Sequence, residues 1–271
     1  MSRTNCRKEI QMTYEERKAQ VKSYLGKTVT ICIDRPIGYV HKKDSYSLIY
    51  PVNYGYIPGV IGGDGEELDV YLLGVDVPVT EYTARIIGIL HRRDDVEDKL
   101  VAAPEGVTFT ATEIADAVRF QEKYYHTDVE ALFEKSCGTV PYTFINGVIH
   151  YLLIRSLYNG DVGFPKGHVE KGENETDTAV RETWEETSVT VDIVGDFRHE
   201  TRYTMPNGKI KTVVYFLGRF DGQTPRRNGD FENNEYLLLP FEEAYAALTH
   251  ENAKVLLRAA HTNQQHSEVN K

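Results

Sequence analysis

The chain has 271 residues, 41% apolar and 27% charged, which is enough for two packed cores of ordinary domain size. Its 41 acidic and 31 basic side chains leave a formal net charge of -10, which excludes a general basic surface for duplex nucleic acid. Cys6, Cys32 and Cys137 are too scattered for a disulfide framework or a zinc spacing. The polar N-terminus lacks a signal-peptide core and no apolar run could span a bilayer, so a cytoplasmic protein with no membrane partner is expected.

Residues 13–25, TYEERKAQVKSYL, predict a short helix capped at Thr13, with Glu16 three residues on. TVTICI, residues 28–33, is β-branched and reads as a strand. LIYPVNYGYIPGV, residues 48–60, reads as a turn-punctuated sheet or barrel edge, and DVYLLGVDVPV and ARIIGIL as further strands. Residues 111–135 predict one helix. The texture changes at Ser136, which sets domains of 1–135 and 136–271. TVPYTFI and GVIHYLLIRSL then form a hairpin across Asn146–Gly147. The loop VGFPKGHVEKGEN follows, then a helix from Thr176 to about Thr187 and a strand over 212–220. One or two helices over 241–260 precede a tail expected to fray.

At ~100° per residue, Glu182, Glu185 and Glu186 share one helix face, with Val180, Trp184 and Thr187 opposite as a core face. Glu170 and Glu173 stand in the preceding loop, where Gly167 and Gly172 allow close backbone approach. Two readings are open: a solvated acidic face, or a site for a hard cation such as Mg²⁺ or Mn²⁺. The first half repeats the choice. Asp64, Glu66 and Asp69 crowd one loop, and Asp94, Asp95, Glu97 and Asp98, with Lys99 adjacent, crowd another.

Gly167, Glu173 and the run Arg181-Glu182-Thr183-Trp184-Glu185-Glu186-Thr187-Ser188-Val189 resemble the Nudix box. Thr183 replaces an apolar residue and Ser188 a glycine. The resemblance implies a Nudix α/β/α sandwich in which Glu185 and Glu186 bind metal and Glu182 binds it or orients water. Glu170, Glu173 and the Lys166–Gly167 backbone assist, and Arg181 holds an acidic side chain in place. A base or water-positioning role falls to Glu182 or to Glu232.

FPKGHVEKGE, residues 164–173, and FRHETRYTMPNGKIKTVVYFLGRF, residues 197–220, are similar to asymmetrical diadenosine tetraphosphate hydrolases. That similarity implies Tyr203 stacking on adenine, Lys211 on polyphosphate, Lys166 and His168 beside the substrate, and Glu232 near the metal. On the residues alone, Tyr203 is equally a packing residue, Lys211 a solvated lysine and His168 a loop hydrogen-bonder. The implied activity is Mg²⁺-dependent hydrolysis of a dinucleoside polyphosphate to ATP and AMP. An RNA 5′-end pyrophosphohydrolase or a nucleotide sensor are the alternatives.

YPVNYGYIPG, residues 50–59, with Asp64 and Asp69, resembles soluble inorganic pyrophosphatase. This implies an N-terminal OB-like β-barrel, metal ligands Asp64, Asp69, Asp94 and Asp98, and pyrophosphate held by Tyr54, Lys42 and Lys43. Two positions depart: Glu66 where an aspartate is usual, and Tyr124–Tyr125 where Tyr-Lys is usual. The domain is expected to hydrolyse free pyrophosphate or to persist as a scaffold that binds metal or phosphate, regulates or dimerises.

Overall fold

The computed structural model describes residues 12–43, 46–226 and 234–269; Glu232 and the Lys43 side chain lie outside the described residues. The chain divides into two compact units, Met1–Glu134 with Asn207–Lys209, and Lys135–Pro206 with Ile210–Lys271.

The first unit opens on α1 (Tyr14–Lys22). Thr13 and Glu16 cap it reciprocally, the Thr13 N–H donating to the Glu16 carboxylate at 2.9 Å. Strands β1 (Thr28–Arg35), β2 (Val40–Lys43), β3 (Tyr46–Ile49), β4 (Asn53–Ile61), β5 (Glu67–Leu72), β6 (Glu81–Arg92) and β7 (Lys99–Ala103) follow, then α2 (Ala111–Glu122) and β8 (Thr127–Ala131). The sheet runs β1-β4-β5-β7-β6-β8, and β1 also pairs with β6, which closes β1, β4, β5, β7 and β6 into an OB-like barrel. Alternation fills its interior: Leu68, Val70 and Leu72 from β5, Leu100 and Ala102 from β7, Ala84 and Ile86 from β6. A register shift between Ile86 and Gly88 then brings Ile89 into the same core.

The expected single helix over 111–135 does not form. Its end residue Glu122 is tied to Arg92, Tyr71 and Thr127, and residues 127–131 pair with β6 instead. Sheet pairing outweighs a modest helix propensity there. Likewise β5 ends at Leu72, short of the expected run to Val79, which Gly74 and Pro78 interrupt.

The second unit comprises β9 (Phe133–Ile145), β10 (Val148–Ser156), β11 (Val162–Gly163), β12 (Lys166–His168), α3 (Glu175–Thr187), β13 (Asp192–Thr204), β14 (Ile210–Arg219), β15 (Asn234–Pro240), α4 (Phe241–Ala247) and α5 (Glu251–Val269). Asn146 (φ 50°) and Gly147 (φ 79°) supply the two positive dihedrals that the tight β9–β10 turn requires. The sheet order is β11-β10-β9-β14-β13, with β12 on β9 and β15 on β10. Tyr142, Tyr151, Leu153 and Leu217 pack against Leu248 and, on α4 and α5, Ala244, Leu256, Leu257 and Ala260. Cys137, Val214 and Phe216 pack with Ala179 of α3. The result is a helix–sheet–helix sandwich. The tail beyond residue 260 does not fray as expected: α5 continues to Val269, and Tyr151 donates to Gln264 Oε1 at 2.7 Å. No helix among the described residues is long and apolar enough to cross a membrane.

Candidate active site

The Asn174 side chain caps α3 by accepting from the Asp177 N–H at 2.9 Å, and Ser188 ends the helix in the left-handed region at φ 57°. The buried face is Thr178, Ala179, Thr183 and Thr187. Trp184, placed on the core face by periodicity, is 48% exposed. Small residues win because α3 sits close on the sheet: the Thr183 hydroxyl lies 2.7 Å from Thr139 Oγ1 and donates to the Ala179 carbonyl. With Glu182 at 0°, this face spans roughly -40° to 140°. Glu182 and Glu186 therefore lie within its arc rather than opposite the core, and they reach over the β12 backbone.

Arg181 organises the carboxylates. It donates to Glu173 Oε1 at 2.6 Å and Oε2 at 2.9 Å, to Glu182 Oε1 at 2.7 Å, to Glu185 Oε2 at 2.9 Å and to the His168 carbonyl at 2.9 Å. The Arg181 bonds, with the Thr178 hydroxyl, hold the Glu173 carboxyl down at about 2. Glu173 thus ties the loop to the helix and is placed as Arg181's partner rather than with the ligand set expected for it. Glu170 is exposed, and its backbone N–H donates to Glu173 Oε2 at 3.1 Å.

Glu186 Oε2 accepts from the Lys166 N–H at 2.9 Å. Gly167 lies directly against Glu182, so that a Cβ there would overlap the carboxyl group. Burial pushes the Glu182 carboxyl up and Glu185 adds to this, while Arg181 opposes it. Among the described residues, no three His, Cys, Asp or Glu side chains are grouped so as to hold a metal ion. Glu182, Glu185 and Glu186 nevertheless suit a divalent cation: they are hard oxygen donors, gathered on one helix, and the closest of them is costly to ionise where it stands.

A cavity of about 310 Å³ is lined by Phe164, Lys166, Tyr203, Tyr215, Asn159 and His250 among others, and by none of the three carboxylates. Lys166 belongs to both places: it lines the cavity and its backbone bonds Glu186. Tyr203, 39% exposed, faces Lys211 across the β13–β14 pair. Neither Lys211 nor His168 lines the cavity. Sequence reasoning missed Asn159, Tyr215 and His250, which carry no motif and meet only through the fold.

In the first unit the four expected metal ligands are engaged by different partners. Asp64 accepts from the Glu66 N–H at 3.1 Å, in a turn. Asp94 accepts from the His126 N–H at 3.0 Å. Asp98 is buried and bonds Arg17 at 3.0 Å and the Arg92 N–H at 3.1 Å. Only Asp69 joins a reactive-looking cluster, bonded by Lys99 and by the Tyr54 hydroxyl; Lys99 also bonds Tyr54 at 2.6 Å and pairs with Glu97. Lys42 is exposed on β2. Burial, then Asp69, push Glu97 up to about 7. Burial alone would raise Asp69, but Glu97, Lys99 and Tyr54 bring it below the usual carboxylate range. Glu97 also accepts from Arg92 at 2.9 Å, and Arg92 grips Glu122 at 2.7 and 3.0 Å. Glu97 and Lys99 were visible in the acidic run, but nothing local marked them as Asp69's partners.

A NUDIX domain family model matches residues 145–259, and an inorganic pyrophosphatase family model matches residues 10–136. The bis(5′-nucleosyl)-tetraphosphatase [asymmetrical] of Sus scrofa is 33% identical over 121 residues, 43% of this chain and 81% of that protein. Its Mus musculus counterpart is 36% identical over 100 residues, covering 36% and 67%. The inorganic pyrophosphatase of Saccharolobus solfataricus is 44% identical over 66 residues, 23% of this chain but only 38% of that enzyme. The crystal structure of a C. elegans Ap4A hydrolase binary complex is 28% identical, covers 49% of this chain and 98% of that one, and has a TM-score of 0.45.

Proposed function

The chain belongs to the Nudix hydrolase family through its C-terminal half, joined to a domain of the inorganic pyrophosphatase family, and from that premise we propose that it hydrolyses dinucleoside polyphosphates with Mg²⁺, diadenosine tetraphosphate giving ATP and AMP. Both families act on phosphoanhydride bonds and depend on divalent metals. The observation that carries the reading is Lys166, which lines the aromatic cavity while its backbone bonds Glu186. A base held against Tyr203 would lay its phosphate chain toward the α3 carboxylates. Glu185 and Glu186 would hold Mg²⁺, which would neutralise charge at the phosphate oxygens and acidify water.

The protein's own groups do the rest. Glu182, close against the Gly167 backbone, would take the proton of the attacking water. The water oxygen bonds phosphorus as the bridging P–O bond breaks, and the leaving nucleotide carries away the electron pair. Arg181 fixes Glu182 and Glu185, so the acceptor does not wander from its attack position. Glu186→Gln should lower turnover at least about tenfold with the unfolding midpoint unchanged. Ion-exchange separation of the products gives the readout. An unchanged rate would remove Glu186 from the site, and ADP as sole product would remove the asymmetric reading.

A second reading rests on Asp69, Glu97, Lys99 and Tyr54: hydrolysis of free pyrophosphate by the first unit. Glu97, at about 7, can exchange a proton near neutrality. Glu97→Gln should then abolish phosphate release from pyrophosphate and leave cleavage of diadenosine tetraphosphate intact. Equal pyrophosphate turnover in the variant would dispose of this reading.

A further inference from the structure

Glu186 is held at both of its ends. Its carboxylate accepts from the Lys166 N–H at 2.9 Å. Its main-chain carbonyl accepts from the Tyr236 hydroxyl at 3.0 Å. Tyr236 stands on β15, opposite Ile154 of β10, and packs against the cluster of Leu152, Val189, Val191 and Phe220, as does Val180 of α3. The ring is thus anchored in the sheet and its core, and the hydroxyl reaches from there to the helix.

The place it reaches is the weakest stretch of α3. The last carbonyls of a helix lack partners within it, and the last turn frays first. Glu185 and Glu186 stand in that turn, next to Thr187 where α3 ends. Ser188 then closes the helix at φ 57°, a conformation that a side chain disfavours. Three hydrogen bonds oppose release of this closure. The Ser188 N–H donates to the Trp184 carbonyl at 2.7 Å, the Arg226 N–H donates to the Thr187 carbonyl at 3.0 Å, and Tyr236 serves Glu186. Of these, only the Tyr236 bond is made by a side chain and falls on a residue assigned to the cation.

We propose that Tyr236 is a positioning residue for the cation. By holding the Glu186 carbonyl it keeps the final turn of α3 wound against the strain at Ser188, and so keeps the Glu186 carboxylate on the Lys166 N–H. Tyr236 does not line the second unit's cavity, so it acts through Glu186 and not through a nucleotide held there. Glu182 lies a turn earlier, fixed by Arg181 and close against Gly167. Loss of the Tyr236 hydroxyl should therefore loosen the cation and leave the proton acceptor in place. The inference rests on the reading that Glu185 and Glu186 hold the cation.

Mn²⁺ binding to the full chain, followed by the electron paramagnetic resonance signal of the free ion, tests this without substrate. The part of the binding that Glu186→Gln removes belongs to α3. If that variant binds Mn²⁺ as wild type does, the reading of Glu186 as a ligand fails and the inference falls with it. Where Glu186→Gln does remove binding, Tyr236→Phe, which keeps the ring and its packing, should raise the half-saturating Mn²⁺ concentration of that part about three- to tenfold. Adding Ser188→Gly to Tyr236→Phe should restore most of the affinity, because glycine removes the strain that the Tyr236 bond opposes. A merely structural Tyr236 would lower the thermal midpoint on substitution and leave Mn²⁺ affinity unchanged. That result would overturn the proposal while leaving Glu186 as a ligand, and so would failure of Ser188→Gly to restore affinity.

Discussion

Gly167→Ala would build a Cβ into the Glu182 carboxyl group. The obstacle is the far end of a flexible side chain, so Glu182 rather than the backbone must yield. It would lose its 2.7 Å bond to Arg181, a partly exposed pair worth ~0–1 kcal/mol. Alanine recovers about 0.4–1 kcal/mol by restricting the unfolded chain. Net stability should therefore hold within about 1 kcal/mol. Catalysis has no such slack, because moving a positioned group by ~1 Å costs on the order of a hundredfold. We expect turnover of diadenosine tetraphosphate to fall by ~10²-fold with little change in the thermal midpoint, measured by ATP and AMP release and by calorimetry on the same preparation. Gly138→Ala is the contrast: its Cβ would run into the Pro165 carbonyl, a backbone atom, and stability and activity should fall together. Full turnover in Gly167→Ala, or loss of stability in step with loss of activity, would refute the placement of Glu182 at the reacting centre.

Three further outcomes follow from the same packing. Ser188→Gly should stabilise the second unit by about 1 kcal/mol in thermal unfolding, because Ser188 holds φ 57° where a side chain is disfavoured. Glu173 has a folded pKa near 2, below the ~4.3 of an unfolded glutamate. Its contribution is present above that unfolded value and lost as pH falls through the folded one. The stability gap between wild type and Glu173→Gln should be constant above pH ~4.5 and close toward pH 2; denaturant titrations across that range will show whether it does. Arg92→Ala strands the buried Glu122 carboxylate and should cost ~3–5 kcal/mol in urea unfolding, and a loss below ~1 kcal/mol would mean that Glu122 finds another partner.

What the sequence disclosed depended on how far apart the interacting residues lie along the chain. The β9–β10 hairpin was legible because Asn146 and Gly147 specify their turn locally. The acidic helix was legible because its charges sit within two turns. Its buried face was legible only in part: Thr187 is buried and Val180 packs against a core cluster as expected, but Trp184 is exposed, and Thr178, Ala179 and Thr183 were missed because periodicity favours large apolar residues. Residues 111–135 were misread as one helix because the strand pairing of β8 with β6 joins positions about forty apart. Lys99 meets Tyr54 across 45 positions, and Arg92 meets Glu122 across 30, with no local pattern to announce either contact.

The long strand β6 has a consequence for how this chain behaves among copies of itself. Its first half, Glu81–Arg85, pairs with β1 to close the barrel, while Gly88–Arg92 pairs with β8 on the same flank. Closure removes the open row of peptide groups that could template another chain, but β8 ends the sheet and restores such a row over five residues. That strand is short, and its Asp128 and Glu130 are already paired with Arg93 and Lys22 of the same unit. Where closure of the barrel leaves a margin, that margin is five residues long and its acidic side chains are tied back to the unit's own basic ones, which limits the template it offers to another strand.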